Sequence, residues 1–302
     1  MTFLSGLSAF PITPADASGR VDVVTLRQLV GRLASAGVDS IGLLGSTGIY
    51  MYLSRAERRR ALEAALEEVA GRTPAIAGIG ALRTDEAVRL AQDAKAIGAA
   101  AGLLSAASYL PLSEDEVFEH FSTVARESNL PIVIYDNPGT THFQFTPDLV
   151  ARLAKVPGIA AIKNPGWDPE STGKLLADQR AIVPPGFSIG CSSDWTATET
   201  MIAGADIWYS VLGGLLTDVC LRIVRAAQRG DAGEARRLNR EIAPIWDLFR
   251  QYSSFRTVYA LADLLGLCHV EPPRPILPLP EEAKHQIAAQ LAKLTTQTHP
   301  AG

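Results

Sequence analysis

Cysteine is scarce in this chain. There are three among 302 residues, Cys191, Cys220 and Cys268, odd in number and far apart. A disulfide framework uses clustered, even-numbered cysteines, so reduced thiols and a cytoplasmic location are expected. Neither a CxxC nor an HExxH spacing occurs. The five histidines, His120, His142, His269, His285 and His299, are scattered, and no metal site is expected. No run of about 18 apolar residues is present, so no membrane span is expected. The opening residues, MTFLSGLSAFPITP, lack the basic stretch that begins a secretory signal. The net charge is −4, which leaves no broad basic face for nucleic acid. Apolar residues are plentiful: 47% are hydrophobic and 20% charged, the balance of a globular protein with a sizeable core. The length reads as one large domain or a domain with an appendage.

Along the chain, short apolar runs alternate with amphipathic stretches. Strands are expected at Leu7 to Ile12, Ser40 to Leu44, Pro74 to Ile79, Ala100 to Ser105, Pro131 to Tyr135, Ile159 to Lys163, Phe187 to Cys191 and Ile207 to Val211. Helices are expected over Asp22 to Ala36, from Ser54 to about Ala70, from Thr84 to about Ile97, and from Ser113 to about Glu127. Further helices are expected over Thr146 to Leu153, Pro169 to Asp178 with Gly173 interrupting, from about Asp194 to Ala203, and over Leu215 to Gln228. Ser54 with Glu57 three residues on is a capping box.

Alternating strands and helices in this number fit a (β/α)8 barrel. The competing doubly wound sheet wants a glycine-rich phosphate loop after the first strand. The first strand here ends in FPITP, and Gly78-Ile79-Gly80 follows the third strand without a third glycine. Beyond Gln228 the pattern becomes helical: Ala232 to Tyr252, Phe255 to Leu267 and Glu281 to Thr295, with a proline-rich link from Pro272 to Pro280. The expected division is a catalytic barrel over 1–228 and a helical region over 229–302, about 70 residues more than a barrel needs. The tail TTQTHPAG is expected to be disordered.

The chemistry concentrates at IAAIKNPGWD. A short apolar run closed by the turn signal Asn164-Pro165-Gly166 reads as a strand buried on both faces. Lys163 ends it, and an ammonium there loses its water. Such a lysine either snorkels to solvent, the commoner outcome, or becomes a neutral amine and a nucleophile. In a barrel, catalytic groups sit at the strand ends. The second strand ends in GSTG, whose hydroxyls Ser46 and Thr47 and exposed backbone N–H groups can hold a carboxylate. The fifth ends in YDNPGTT, so the Tyr135 phenol can relay protons. The fourth leads to Ser108-Tyr109. Taken singly, GSTG is a turn and a strand-end tyrosine is half-buried core. Together, in register with the barrel, they point to catalysis.

The order GSTG, SYLPLSEDEVFEHF, YDNPGTT, IKNP resembles the dihydrodipicolinate synthase and N-acetylneuraminate lyase family of class I, pyruvate-dependent aldolases, over nearly the whole chain. The resemblance implies a barrel with a helical C-terminal extension, assembled as a homotetramer or homodimer, and no metal or organic cofactor. It makes Lys163 the lysine that forms a Schiff base with pyruvate and Tyr135 the proton donor and acceptor. Thr47 and Gly48 lie in the loop that binds the pyruvate carboxylate, with Ser46 in a hydroxyl relay. Tyr109 stands where a tyrosine reaches the relay of a neighbouring subunit. Thr140 and Tyr209 are further substrate-binding candidates.

Three positions depart from the family. Ile49, followed by Tyr50, stands where glutamate is common. Thr140 stands where an arginine resembles a clamp for the second substrate's carboxylate, and threonine makes no bidentate contact; His142 is a possible substitute. Ile207, before Trp208 and Tyr209, replaces a glycine and is either a pocket-shaping or a core residue. The expected function is a Schiff-base aldolase, lyase or hydro-lyase acting on pyruvate or another 2-oxo acid, with an aldehyde as second partner. The alternatives are 4-hydroxy-tetrahydrodipicolinate synthase of lysine biosynthesis and a non-catalytic barrel that binds a 2-oxo acid.

Overall fold

The computed structural model describes residues 3–298. Eight parallel strands close into a barrel in chain order: β1 (Gly6–Ala9), β2 (Ser40–Leu43), β3 (Ala75–Gly78), β4 (Ala101–Ser105), β5 (Ile132–Tyr135), β6 (Ile159–Asn164), β7 (Ser188–Cys191) and β8 (Ile207–Ser210). The helices α1 (Val23–Ala36), α2 (Arg55–Val69), α3 (Thr84–Ile97) and α4 (Glu114–Ser128) follow β1 to β4. After β5 come α5 (Pro138–Thr141) and α6 (Pro147–Leu153). Strands β6 to β8 are followed by α7 (Pro169–Ile182), α8 (Asp194–Ile202) and α9 (Thr217–Gln228). The chain then runs through α10 (Ala232–Glu241), α11 (Ala243–Tyr252), α12 (Ser254–Leu264) and α13 (Glu281–Thr298). The fold is the expected (β/α)8 barrel with C-terminal helices. Among the described residues no helix is long and apolar enough to cross a membrane.

Local chemistry sets the helix starts. Asp22 accepts from the N–H groups of Val24 and Thr25 at the head of α1, satisfying donors the first turn leaves open. Ser113 and Glu116 form a complete capping box on α4. The box expected at Ser54 is half made. Ser54 accepts from the Glu57 N–H, but the Glu57 carboxylate turns to the Val21 N–H at 2.7 Å, where it ties α2 to the loop before α1. Thr84 does not cap α3. It lies inside the helix, Arg83 holds the cap position without a side-chain bond, and the Thr84 hydroxyl bonds His120 Nδ1 at 2.9 Å.

The stretch Ala232 to Tyr252 is two helices rather than one. They break at Ile242, because Pro244 has no N–H to give to a continuing helix and its ring crowds the preceding turn. Gly173 does not interrupt α7, which runs on to Ile182. The tail expected to be disordered is helical through Thr298; residues 299–302 lie outside the described residues.

Side-chain alternation along the strands fills the barrel. Phe10, Ile76, Leu103, Val133, Ala161 and Ile207 belong to one buried interior cluster, with Tyr135 and Tyr209. Ile207 is therefore core. It packs against Gly190, where an added Cβ would lie 2.4 Å from its Cγ2. The Phe10 ring occupies space opened by Gly42, where an added Cβ would lie 2.2 Å from the ring. Small residues on the walls thus make room for large ones within a single close-packed plug.

Candidate active site

Lys163 crowns that plug. It lies two residues beyond Ala161 on β6, so both side chains point into the barrel. Its register partners are Tyr135 on β5 and Gly190 on β7. The residue is 3% exposed; it does not snorkel. Its Nζ rests over three aromatic rings, 4.0 Å from the centroid of Tyr135, 4.7 Å from Phe10 and 6.0 Å from Tyr209. Among the described residues it makes no ion pair. The π faces of these rings carry partial negative charge towards the amine.

The Tyr135 hydroxyl joins a polar chain. It lies 3.3 Å from Ser46 Oγ. Asn137 Nδ2 donates to the Tyr135 oxygen at 3.0 Å and to Thr140 Oγ1 at 3.0 Å. Either hydroxyl of the Tyr135–Ser46 pair can donate to the other. Asn137 sits in the loop between β5 and α5, where the sequence shows only a turn before proline.

The β2 loop is held in an uncommon conformation. Leu44 and Ile49 take φ values of 54° and 53°, left-handed backbone that a β-branched residue such as Ile49 rarely adopts. Between them Ser46 and Thr47 reach the cleft. Gly48 does not line it. An added Cβ there would lie 3.0 Å from the Leu44 backbone and from Thr13 Oγ1, so this glycine serves close packing of the loop. Tyr50 lines the cleft with its hydroxyl 2.9 Å from Ser105 Oγ, and burial raises its phenol above the ordinary range.

The cleft encloses about 470 Å³, a common size for a small-molecule site. Lys163, Tyr135, Ser46, Thr47, Thr140 and Tyr209 all line it. Tyr209 is buried and its hydroxyl has no partner among the described residues; burial raises its phenol well above the ordinary range. Tyr109 is not brought to the cleft of its own chain, and at 92% exposure it projects outward from the loop after β4. His142, exposed at the C-cap of α5, is not on the cleft wall. Cys191 is buried, its thiol pushed up to about 12 by burial, and it lies off the cleft, consistent with an inert thiol.

Two further groups carry no signal in the sequence. Asn164 is the last residue of β6 rather than part of a turn. It exchanges two amide hydrogen bonds with Gln179 of α7, at 2.7 and 3.0 Å, and so pins the strand end that carries Lys163. Asp194, at the start of α8, accepts from Trp208 Nε1 and from the Leu212 N–H, both at 2.8 Å. It fixes the top of β8, and burial pushes its carboxyl up to about 6. Neither long-range partner has a signature in local sequence.

A family model described as the dihydrodipicolinate synthetase family matches residues 3–294. The chain belongs to this family. Among curated members, it is 36% identical to the 4-hydroxy-tetrahydrodipicolinate synthase of Methylococcus capsulatus over 83% of this chain and 86% of that one. It is 33% identical to the enzyme of the same name from Neisseria meningitidis serogroup B over 95% of this chain and 98% of that one. A crystal structure of dihydrodipicolinate synthase from Agrobacterium tumefaciens is 51% identical, with a TM-score of 0.95 over 97% of this chain and 99% of that one. As a dihydrodipicolinate synthetase family member the chain is a class I lyase acting on pyruvate or another 2-oxo acid.

Proposed function

We propose that Lys163 forms the Schiff base, with Tyr135 and Ser46 moving its protons and Thr47 holding the carboxylate of the 2-oxo acid. The observation that carries this is the placement of one buried amine over three aromatic rings beside a phenol–hydroxyl chain. The amine attacks the ketone carbon of the 2-oxo acid, forming a C–N bond. The carbinolamine loses water as Tyr135, through Ser46, supplies and removes protons. The resulting iminium carries its positive charge at Nζ, where the π faces of the rings stabilise it. It withdraws electrons from the neighbouring carbon, and a proton leaves C3 to give an enamine. A bond at C3 then forms or breaks, and hydrolysis frees the lysine.

We further assign Tyr109 to the site of a neighbouring copy. Its near-complete exposure, beside Leu110 at 68%, leaves an apolar loop tip that fits against a second chain. A homotetramer or homodimer follows from this assignment. The three buried free thiols fit a cytoplasmic home. The names of the curated relatives favour a second reading, 4-hydroxy-tetrahydrodipicolinate synthase itself. Against it, Lys163 is the one basic side chain among the described residues lining the cleft.

Hydrogen exchange tests the main reading. In deuterated water the wild type should exchange the methyl protons of pyruvate, followed by NMR, and Lys163→Ala should not. Equal exchange by the two proteins would remove Lys163 from the mechanism. Growth of a lysine auxotroph on this gene would establish the second reading; no growth is expected.

A further inference from the structure

The cleft has two unlike halves. Around Lys163 it is polar, with Ser46, Thr47 and Tyr135. Outward it is walled by Ile49 and Val211 of the barrel loops, Trp195 of α8, Phe249 of α11, Phe255 of α12 and Ile276 of the link to α13. The C-terminal helices therefore contribute apolar surface to the part of the site that lies beyond the 2-oxo acid.

Several polar groups of this outer half are bonded within the protein. Ser192 Oγ donates to the Asn164 carbonyl at 2.9 Å. Ser193 Oγ accepts from the Gly166 N–H at 3.0 Å. Thr140 Oγ1 takes one of the two protons of Asn137, whose other goes to Tyr135. Both oxygens of Asp194 are engaged. These bonds leave fewer free donors and acceptors for a polyhydroxylated partner. Among the described residues lining the cleft, a second carboxylate would meet no cation but Lys163.

We infer that the second substrate is an uncharged aldehyde with an aromatic body, seated between Trp195 and the Phe249–Phe255 wall. This rests on the Schiff-base reading given above. In the condensing direction, C3 of the pyruvate enamine attacks the aldehyde carbon and a C–C bond forms. The aldehyde oxygen takes a proton from the Tyr135 chain. One water then cleaves the imine, releasing a 4-aryl-4-hydroxy-2-oxo acid and free Lys163. The atoms are those of pyruvate plus the aldehyde, and cleavage is the reverse.

The test measures kcat/KM for the full-length enzyme with pyruvate and each of three aldehydes: benzaldehyde, succinic semialdehyde and glyceraldehyde. Benzaldehyde should exceed both others by at least about tenfold, the discrimination that burying one apolar ring supports. Trp195→Ala should lower kcat/KM for benzaldehyde by about tenfold, mainly through KM. Thr140→Arg, which adds a cation to the wall, should raise succinic semialdehyde relative to benzaldehyde. A preference for either of the other aldehydes, or no turnover of any of the three by enzyme that exchanges pyruvate protons, overturns the inference and leaves the Schiff-base reading standing. Failure of pyruvate exchange overturns both.

Discussion

Tyr135 and Lys163 are opposite each other across adjacent parallel strands, and the amine lies 4.0 Å from the phenol ring centroid. The ring face meets the amine while the ring's hydroxyl meets Ser46. One side chain thus offers a surface for a cation and a route for protons, and the two roles are separable by mutation.

Tyr135→Phe keeps the face and removes the hydroxyl. Turnover should fall about 10²- to 10⁴-fold, the worth of a positioned acid–base group. The imine should still form, more slowly, because the amine and its surroundings are intact. Rapid-quench trapping of the imine checks this, and an unchanged kcat would remove Tyr135 from the proton path.

Phe10→Leu keeps an apolar filler and removes a π face 4.7 Å from the amine. A buried cation–π contact is worth about 1 to 2 kcal/mol, so the equilibrium constant for imine formation should drop roughly 5- to 30-fold. Titrating trapped imine against pyruvate concentration measures it. Equal occupancy in both proteins would make Phe10 a packing residue only.

Asp136, next to Tyr135 in sequence, is buried, has an Oδ1 without a partner among the described residues, and is pushed up to about 7 by burial. Its ordinary value is near 3.8. Between those values the folded chain holds a proton that the unfolded chain has lost. Stability from this group therefore falls as pH rises from about 4 to about 7 and is level above. Asp136→Asn should abolish that part of the decline and be more stable than wild type at pH 8. Urea melts of both proteins across this range check it, and parallel pH curves would contradict it.

Tyr109 supplies a test of assembly. If it serves a neighbouring site, Tyr109→Phe and Lys163→Ala chains, each weakly active or inactive alone, should regain activity when co-assembled. Some mixed sites would then combine an intact Lys163 with an intact Tyr109 from the other chain. Activity of the mixture no greater than the sum of the separate proteins would place Tyr109 outside the site.

The barrel was legible because alternation of apolar runs and capped helices is local information. So were Lys163, Tyr135, Ser46 and Thr47, since strand ends in a barrel converge on one rim. What stayed hidden depends on long-range neighbours. Gly48 looked like a ligand-binding glycine, and its place is set by Leu44 and Thr13. Ile207 stood in a motif near the rim, and strand alternation sends it into the plug. Asn137, Asn164 and Asp194 carry ordinary turn or cap residue types, and their importance comes from partners such as Gln179 and Trp208 that only the fold brings near. The aromatic cradle drew on Phe10, in a segment read only as a first strand, because rings from three strands meet inside a closed barrel.

The most direct test reduces the protein with borohydride in the presence of pyruvate and maps the adduct by mass spectrometry of its peptides. The account predicts one stable adduct, on Lys163, and none in a folded Lys163→Ala variant. An adduct on another lysine, or no adduct in the wild type, would contradict it.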